Sequence, residues 1–417
     1  MELVNGQYVI GDVPALSIVK QYGSPVYVYH AEKITSQYQR LKAAFPGVDL
    51  HIKYACKALS NLNILRLLRN CGSGIDAVSI QEIELCLQAG FAPEEILFTP
   101  NAVSFSEYQQ AAALGVRINI DSITILEQFG HAYGGSVPVC VRLNPHILAG
   151  GNSKISTGHI DSKFGISIHQ LRHVLRIVQA HSMSIDGLHM HTGSDILDAD
   201  VFLAAADVML EAAFEFPDLK YLDFGSGFRV PYSAADIYTD VERLGKKIAE
   251  RFRGFCEEYG RELELWFEPG KFLVSEAGYL LVSANMIKTT VSTVFVGVNS
   301  GLNHLIRPML YDAYHQITNV SNPKGTTRIY TVVGYICETD TLGADRPLNE
   351  VREGDILAIH NAGAYGYVMS SNYNSRLRPA EVLLYGGEAH LIRKAETLED
   401  LTRNQIVLEK LKDPIQA

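Results

Sequence analysis

Paired cysteines, basic clusters and long apolar runs are all missing from this 417-residue sequence. The six cysteines, Cys56, Cys71, Cys86, Cys140, Cys256 and Cys337, are scattered and include no Cys-x-x-Cys pair. That spacing argues against a zinc site or a disulfide framework and fits reduced cytoplasmic thiols. The fourteen histidines include no His-x-x-x-His pair beside a carboxylate, so no metal site is expected. No apolar stretch is long enough to span a bilayer, and Met1-Glu2-Leu3-Val4 lacks the basic start of a secretory leader. A formal net charge of -10, unrelieved by any basic cluster, argues against a nucleic-acid partner. The expectation is a cytoplasmic protein that engages neither membrane nor nucleic acid.

What is present is ordinary globular composition, 47% hydrophobic and 20% charged, in a chain too long for one core. From about residue 50 strand-like runs alternate with amphipathic helices. The strands are expected at Ile52–Cys56, Ile75–Val78, Ile96–Thr99, Arg117–Ile120, Pro138–Leu143, Asp186–Met190, Tyr221–Phe224 and Leu265–Glu268. Helices such as Ile80–Ala89, Leu171–Ala180 and Val241–Tyr259 lie between them, the first opened by the capping box Ser79-Ile-Gln-Glu82. Eight alternations point to an α/β fold, a (β/α)₈ TIM-like barrel, although pattern alone leaves an open sheet possible. After Gly270 the chain becomes β-rich, with strands expected at Phe272–Ser283, Thr293–Val298, Ile329–Tyr335, Ile356–Ala362 and Glu381–Leu384. The division read from this is a barrel over 26–270 and an all-β domain over 271–417 completed by residues 1–25. Val26-Tyr-Val-Tyr29 precedes the barrel pattern and suits a strand of the β domain.

In such a barrel the C-terminal strand ends open on one face, where chemistry is placed. The first run leads into Lys57, and a lysine at the end of a buried strand is costly unless paired or used as an amine nucleophile. The sixth ends in His189-Met-His191-Thr-Gly193-Ser194, offering a flat imidazole and a hydroxyl. The seventh ends in Asp223-Phe-Gly225-Ser226-Gly227, whose glycines let backbone N–H groups approach a phosphate. The eighth ends in Glu268-Pro269-Gly270-Lys271, with a carboxylate able to hold a proton on a pyridine nitrogen. Each has a bland reading: a strand-end lysine reaching solvent, core histidines, a tight turn, a surface acid. Their occurrence at successive strand ends points to pyridoxal 5′-phosphate.

The chain resembles the fold-type III, alanine racemase-like pyridoxal-phosphate decarboxylases, and among them the diaminopimelate decarboxylases. The likeness is carried by Tyr54-Ala-Cys-Lys57-Ala58, Gly74-Ile-Asp76-Ala, Thr157-Gly158 with Ser162-Lys-Phe-Gly165, and Gly187-Leu-His-Met-His191-Thr-Gly-Ser194. It continues through Arg307-Pro-Met-Leu-Tyr311, Cys337-Glu338, Gly363-Ala-Tyr365-Gly366 and Asn372-Tyr-Asn374. The resemblance implies that Lys57 bonds covalently to the cofactor, His191 stacks on its ring and Glu268 pairs with its ring nitrogen. Gly225, Ser226 and Gly227, with Ser194, Lys271 and Tyr365, would hold the phosphate. Arg307, Tyr311 and Tyr365 would contact substrate, with Arg307 and Tyr311 on its distal carboxylate. Cys337 and Glu338 would reach the site from the second subunit of a homodimer, Cys337 as a catalytic group and Glu338 on the distal ammonium. The implied reaction converts meso-2,6-diaminopimelate to L-lysine and carbon dioxide.

Three positions depart from the family pattern. Lys271 stands where arginine is usual, Asn299 where aspartate is usual, and the segment Cys337–Asp345 is one residue short. The alternatives are a carboxynorspermidine or other basic amino-acid decarboxylase of the same fold, and a non-catalytic cofactor-binding homologue. Arg307 together with Glu338 favours a distal group that carries both charges, and intact Lys57, Glu268 and Cys337 favour catalysis.

Overall fold

The computed structural model describes residues 1–147, 162–193, 199–233 and 235–409. Eight parallel strands follow one another around a ring: Asp49–Ala55, Gly74–Ala77, Ile96–Phe98, Arg117–Ile120, Val139–Asn144, Ile185–His189, Tyr221–Asp223 and Glu264–Phe267. The eighth pairs back with the first, Leu265 opposite Leu50 and Phe267 opposite Ile52, so the sheet is closed. These strands are buried along nearly their whole length, as expected when helices cover one face and packed side chains fill the other. Trp266 stacks on Tyr221 with ring centroids 3.6 Å apart, and with Cys140 and Leu97 they form a small cluster of their own.

The helices begin and end where their local chemistry dictates. Ser79 accepts a hydrogen bond from the Glu82 amide while the Glu82 carboxylate accepts from the Val78 amide, and Ile80–Ala89 follows. Leu171–Ala180 and Val241–Tyr259 occupy the ranges their periodicity predicted. One expected strand is partly helical: Lys271–Val274 forms a helical turn, and the strand starts only at Gly278. Phe272-Leu273-Val274 is buried on all sides, and a short apolar run of that kind carries no period that separates strand from helix.

The second region is a mixed sheet in the order Thr341–Asn349, Thr327–Val333, Val294–Val298, Gly278–Thr289, Val26–His30, Ala380–Tyr385 and Glu388–Arg393. Ile356–Ile359 pairs with Gly278–Thr289 and carries Ile317–Asn319 on its other edge. Val26–His30 lies between a strand from mid-chain and one from near the end, antiparallel to the first and parallel to the second. The barrel pattern therefore begins after it. Residues Glu2–Val4, Gln7–Ile10 and Val13–Pro14 form a separate small sheet. Asn299 also finds its explanation here. Its Nδ2 donates to the Ser24 carbonyl at 2.9 Å while its Oδ1 accepts from the Ser283 amide at 2.8 Å. An aspartate would supply only the acceptor.

Barrel and sheet are joined through Glu381, whose carboxylate is fully buried. It accepts from Tyr29 Oη at 2.7 Å and from Asn61 Nδ2 at 3.0 Å, and it also pairs with Arg393 Nε. Asn61 is itself the cap of the barrel helix Leu62–Asn70, accepting from the Asn63 amide. In the same region His304 is buried between Ser300 Oγ and the Leu377 carbonyl, each 3.0 Å away. His315 is buried with its Nδ1 2.8 Å from the His360 carbonyl oxygen. Burial lowers His304 to about 4 and His315 to about 3, so both are neutral in the folded protein at pH 7.

Two outcomes follow. Glu381→Ala strands the buried Tyr29 hydroxyl and leaves Asn61 Nδ2 with only its 3.4 Å bond to the Ile392 carbonyl, and at about 1–2 kcal/mol for each lost bond the loss is about 2–4 kcal/mol, read by denaturant unfolding. The histidines give a pH dependence of definite sign. Their folded-state pKa values lie below the unfolded value, so the unfolded chain takes up the extra protons as pH falls below about 6.5. Stability is then greatest above that pH and falls by about 2 kcal/mol per histidine by pH 5. A stability profile flat between pH 7.5 and 5 would contradict this assignment.

Candidate active site

The C-terminal ends of the barrel strands and two segments of the β-rich region enclose one cavity of about 820 Å³. From the barrel it is lined by Lys57, His191, Ser226, Gly227, Glu268 and Lys271, and from the β-rich region by Arg307, Tyr311 and Tyr365. Lys57 follows the first strand in the tight turn Cys56–Ala58. Glu268 is the residue after the eighth strand, and His191 lies two residues beyond the sixth.

Charge in this cavity is sorted by neighbours. Lys57 Nζ lies 2.6 Å from Asp76 Oδ2, a carboxylate of the second strand with no exposure. Burial works against the lysine charge, but Asp76, Tyr365 and Glu268 outweigh it and hold the amine protonated above the usual lysine range. Glu268 Oε2 is 3.0 Å from His189 Nε2, and Thr99 Oγ1 donates to Oε1 at 3.4 Å. Burial alone would raise the Glu268 carboxyl. The His189 contact, then Lys57 and His191, reverse that effect and lower it to about 2. Asp223 is the counterpart: burial, then the negative Glu268 nearby, push its carboxyl well up. The two buried acids are thus pushed in opposite directions, the separation that acid–base chemistry uses. His191 is pushed well below the usual imidazole range by burial, then by Arg142 and Lys57. The same ring accepts from the Ser226 amide at Nδ1, 3.1 Å away, which also favours the neutral form.

The turn after the seventh strand needs its glycines. Gly225 has φ 63° and Gly227 φ 135°, and a Cβ on Gly225 would stand 2.5 Å from the Met190 carbonyl and 2.6 Å from His191 Nδ1. Asp223 Oδ1 holds the turn by accepting from the Gly225 amide at 2.8 Å. Tyr365 reaches the cavity from the other side with φ 55°, its amide donating to the Ala58 carbonyl beside Lys57 at 2.9 Å.

These features fit pyridoxal 5′-phosphate. An amine for its aldehyde, an imidazole for its ring face, a buried anion for its ring nitrogen and a glycine turn for its phosphate share one cavity. Arg307 is buried, donates from Nη2 to Tyr232 Oη at 3.2 Å, and has an Nε with no partner among the described residues. Tyr311 Oη belongs to a ring 5.8 Å from the Arg307 guanidinium carbon.

Other expected site residues lie elsewhere. Cys337 and Glu338 are exposed and do not line this cavity. Glu338 accepts from Tyr373 Oη at 2.8 Å, and the segment is pinned by the buried Asp340 carboxylate, which accepts from the Leu302 and Ile336 amides. Ser194, Thr157 and Gly158 lie outside the described residues. Sequence reasoning missed Asp76, Arg142 and Tyr232. Asp76 stood in a quoted strand, and its charge in a run of buried residues was the available signal. Arg142 had the same signal: buried in the fifth strand, it faces the cavity with its guanidinium 5.0 Å from the Phe164 ring. Tyr232 carries no such mark in the sequence.

Residues 31–275 match the family described as "Pyridoxal-dependent decarboxylase, pyridoxal binding domain". The diaminopimelate decarboxylase of Methanothermobacter thermautotrophicus is 38% identical over 416 residues, covering 97% of each chain. That of Pseudomonas fluorescens is 36% identical, covering 97% of this chain and 98% of the relative. The crystal structure of diaminopimelate decarboxylase from M. jannaschii in co-complex with L-lysine superposes with a TM-score of 0.88 at 31% identity, covering 98% of each chain. No described helix is long and apolar enough to cross a membrane. With the cavity, the closed barrel and full-length similarity in agreement, the chain belongs to the diaminopimelate decarboxylases, a family of pyridoxal-dependent carboxy-lyases.

Proposed function

We propose that this cavity decarboxylates meso-2,6-diaminopimelate to L-lysine and carbon dioxide, the last step of lysine biosynthesis, with the residue roles set out here. The observation that carries the substrate assignment is Arg307: a buried guanidinium lining the cavity that also holds Lys57 and Glu268. A substrate reacting at one end and bearing a second carboxylate at the other suits that layout. An amine-ended substrate leaves the guanidinium without an anion.

Bound pyridoxal phosphate supplies the electron sink that takes up the electron pair released when the carboxylate departs. Lys57 would bond to the cofactor, and Asp76, 2.6 Å from its Nζ, would hold the proton on the amine when that bond is open. Glu268, anionic at neutral pH, keeps a proton on the ring nitrogen. His191, its charged form disfavoured by burial and by Arg142 and Lys57, would cover the ring face without adding charge. The turn Gly225-Ser226-Gly227, whose Gly225 and Ser226 amides donate to Asp223 Oδ1 and His191 Nδ1, would hold the phosphate, with Ser194, Lys271 and Tyr365 completing its ligands. Lys271 acts there as a point charge rather than a bidentate fork. Arg307, Tyr311 and Tyr365 bind the substrate.

The active unit is a homodimer with shared sites, in which the partner's Cys337 protonates the reacting carbon and the partner's Glu338 pairs with the distal ammonium. Their exposure on one chain, outside that chain's own cavity, supports this reading. Six free cysteines, with Cys56 and Cys86 sulfurs 3.9 Å apart, suit a reducing cytoplasm.

Purified protein supplied with cofactor should release carbon dioxide from meso-diaminopimelate far faster than from ornithine, lysine or carboxynorspermidine. A higher kcat/KM for any of those three would overturn the substrate assignment. Borohydride reduction should fix the cofactor on Lys57, as peptide mass spectrometry would read, and Lys57→Ala should lose that linkage while remaining folded. For the dimer, mixing inactive Lys57→Ala with inactive Cys337→Ala chains should restore roughly a quarter of wild-type activity, since half the dimers are mixed and each has one intact site. No recovery despite proven subunit exchange would mean that each site is built within one chain.

A further inference from the structure

Arg307 sits at the start of the five-residue helix Arg307–Tyr311 on the β-rich side of the cavity. A long side chain there has rotamer freedom to lose before it can bind an anion in one orientation. The contact that removes this freedom comes from the barrel side. Tyr232, in the segment after the seventh barrel strand, accepts from Arg307 Nη2 at 3.2 Å, and its hydroxyl also lies 3.2 Å from Ser275 Oγ. Its ring stands edge-on to His315 at 5.3 Å and 5.5 Å from the Arg307 guanidinium carbon.

Tyr232 is held as firmly as what it holds. The Asp236 carboxylate accepts from the Tyr232 amide at 3.0 Å and from Arg229 Nη2 at 3.1 Å, closing the turn. The neighbouring Pro231 carbonyl accepts from Asn361 Nδ2 of the β-rich region at 2.8 Å. A barrel turn thus arrives at the cavity already tied to both regions, with one hydroxyl on the guanidinium.

We propose that Tyr232 is a positioning residue for substrate specificity. By accepting from Arg307 Nη2 it fixes the orientation in which the guanidinium lines the cavity, and so its presentation to the substrate's distal carboxylate. This rests on the reading of Arg307 given above. It adds that discrimination for the distal amino-acid head depends on contact between the two regions, and not on Arg307 alone.

The test uses a pair of ligands that differ only in that head. L-lysine retains the distal carboxylate and ammonium; cadaverine, 1,5-diaminopentane, lacks the carboxylate. Inhibition constants of both are measured on holoenzyme for wild type, Tyr232→Phe, Arg307→Ala and the double variant. Tyr232→Phe keeps the ring and its packing, and the cofactor absorbance spectrum checks that the site is intact. It should weaken L-lysine about tenfold, the scale of a hydrogen bond to a charged group, leave cadaverine unchanged, and raise KM for meso-diaminopimelate more than it lowers kcat. In the Arg307→Ala background it should cost nothing further. Asp236→Ala, which frees the turn, should reproduce the pattern.

If Arg307→Ala separates the two ligands but Tyr232→Phe does not, the positioning role is overturned and Arg307 stands. Equal weakening of L-lysine and cadaverine by Tyr232→Phe, or an additive loss in the double variant, also overturns it. If Arg307→Ala fails to separate the ligands, the reading of Arg307 fails, and the role of Tyr232 with it.

Discussion

The buried Glu381 carboxylate accepts from Tyr29, Asn61 and Arg393, and through Asn61 it grips the cap of the first barrel helix. The cavity depends on that junction because neither region encloses it alone. Lys57, His191, Glu268 and the glycine turn belong to the barrel, while Arg307, Tyr311 and Tyr365 belong to the sheet region. An anion held by three donors in a low-dielectric setting tolerates little sliding, since any shift strands a buried polar group. The Tyr365 amide on the Ala58 carbonyl is a second stitch, placed directly beside Lys57.

Within the cavity the same economy applies to charge. Three carboxylates, Asp76, Asp223 and Glu268, lie buried near one lysine and two histidines. Glu268 stays anionic through His189, the Asp223 carboxyl is pushed well up by burial and by Glu268, and Asp76 is matched by Lys57. A planar cofactor entering this space meets charged groups that are already paired and oriented, so little reorganisation accompanies the reaction.

The departures from the family pattern become readable through their contacts. Asn299 is needed as an amide because it both donates to Ser24 and accepts from Ser283. The shortened Cys337–Asp345 segment is anchored by Asp340, which turns it back so that Cys337 and Glu338 face outward. Lys271 still lines the cavity, carrying the positive charge without the planar fork of an arginine.

The sequence by itself determined the eight strand–helix alternations, because buried parallel strands and amphipathic helices impose their periods on local residues. Strand ends at Lys57, His191, Gly225 and Glu268 could therefore be located one after another. The character of Phe272-Leu273-Val274 was not legible, since an all-buried run has no period, and neither was the role of Asp76 or Arg142, whose partners are distant in the chain. Closure of the barrel, the seat of Val26–His30 between two late strands, and the contact of Tyr232 with Arg307 were decided only by tertiary structure. Each depends on residues brought together from separate elements, 75 positions apart for Tyr232 and Arg307, and hydrogen bonding across such a gap leaves no trace in local sequence.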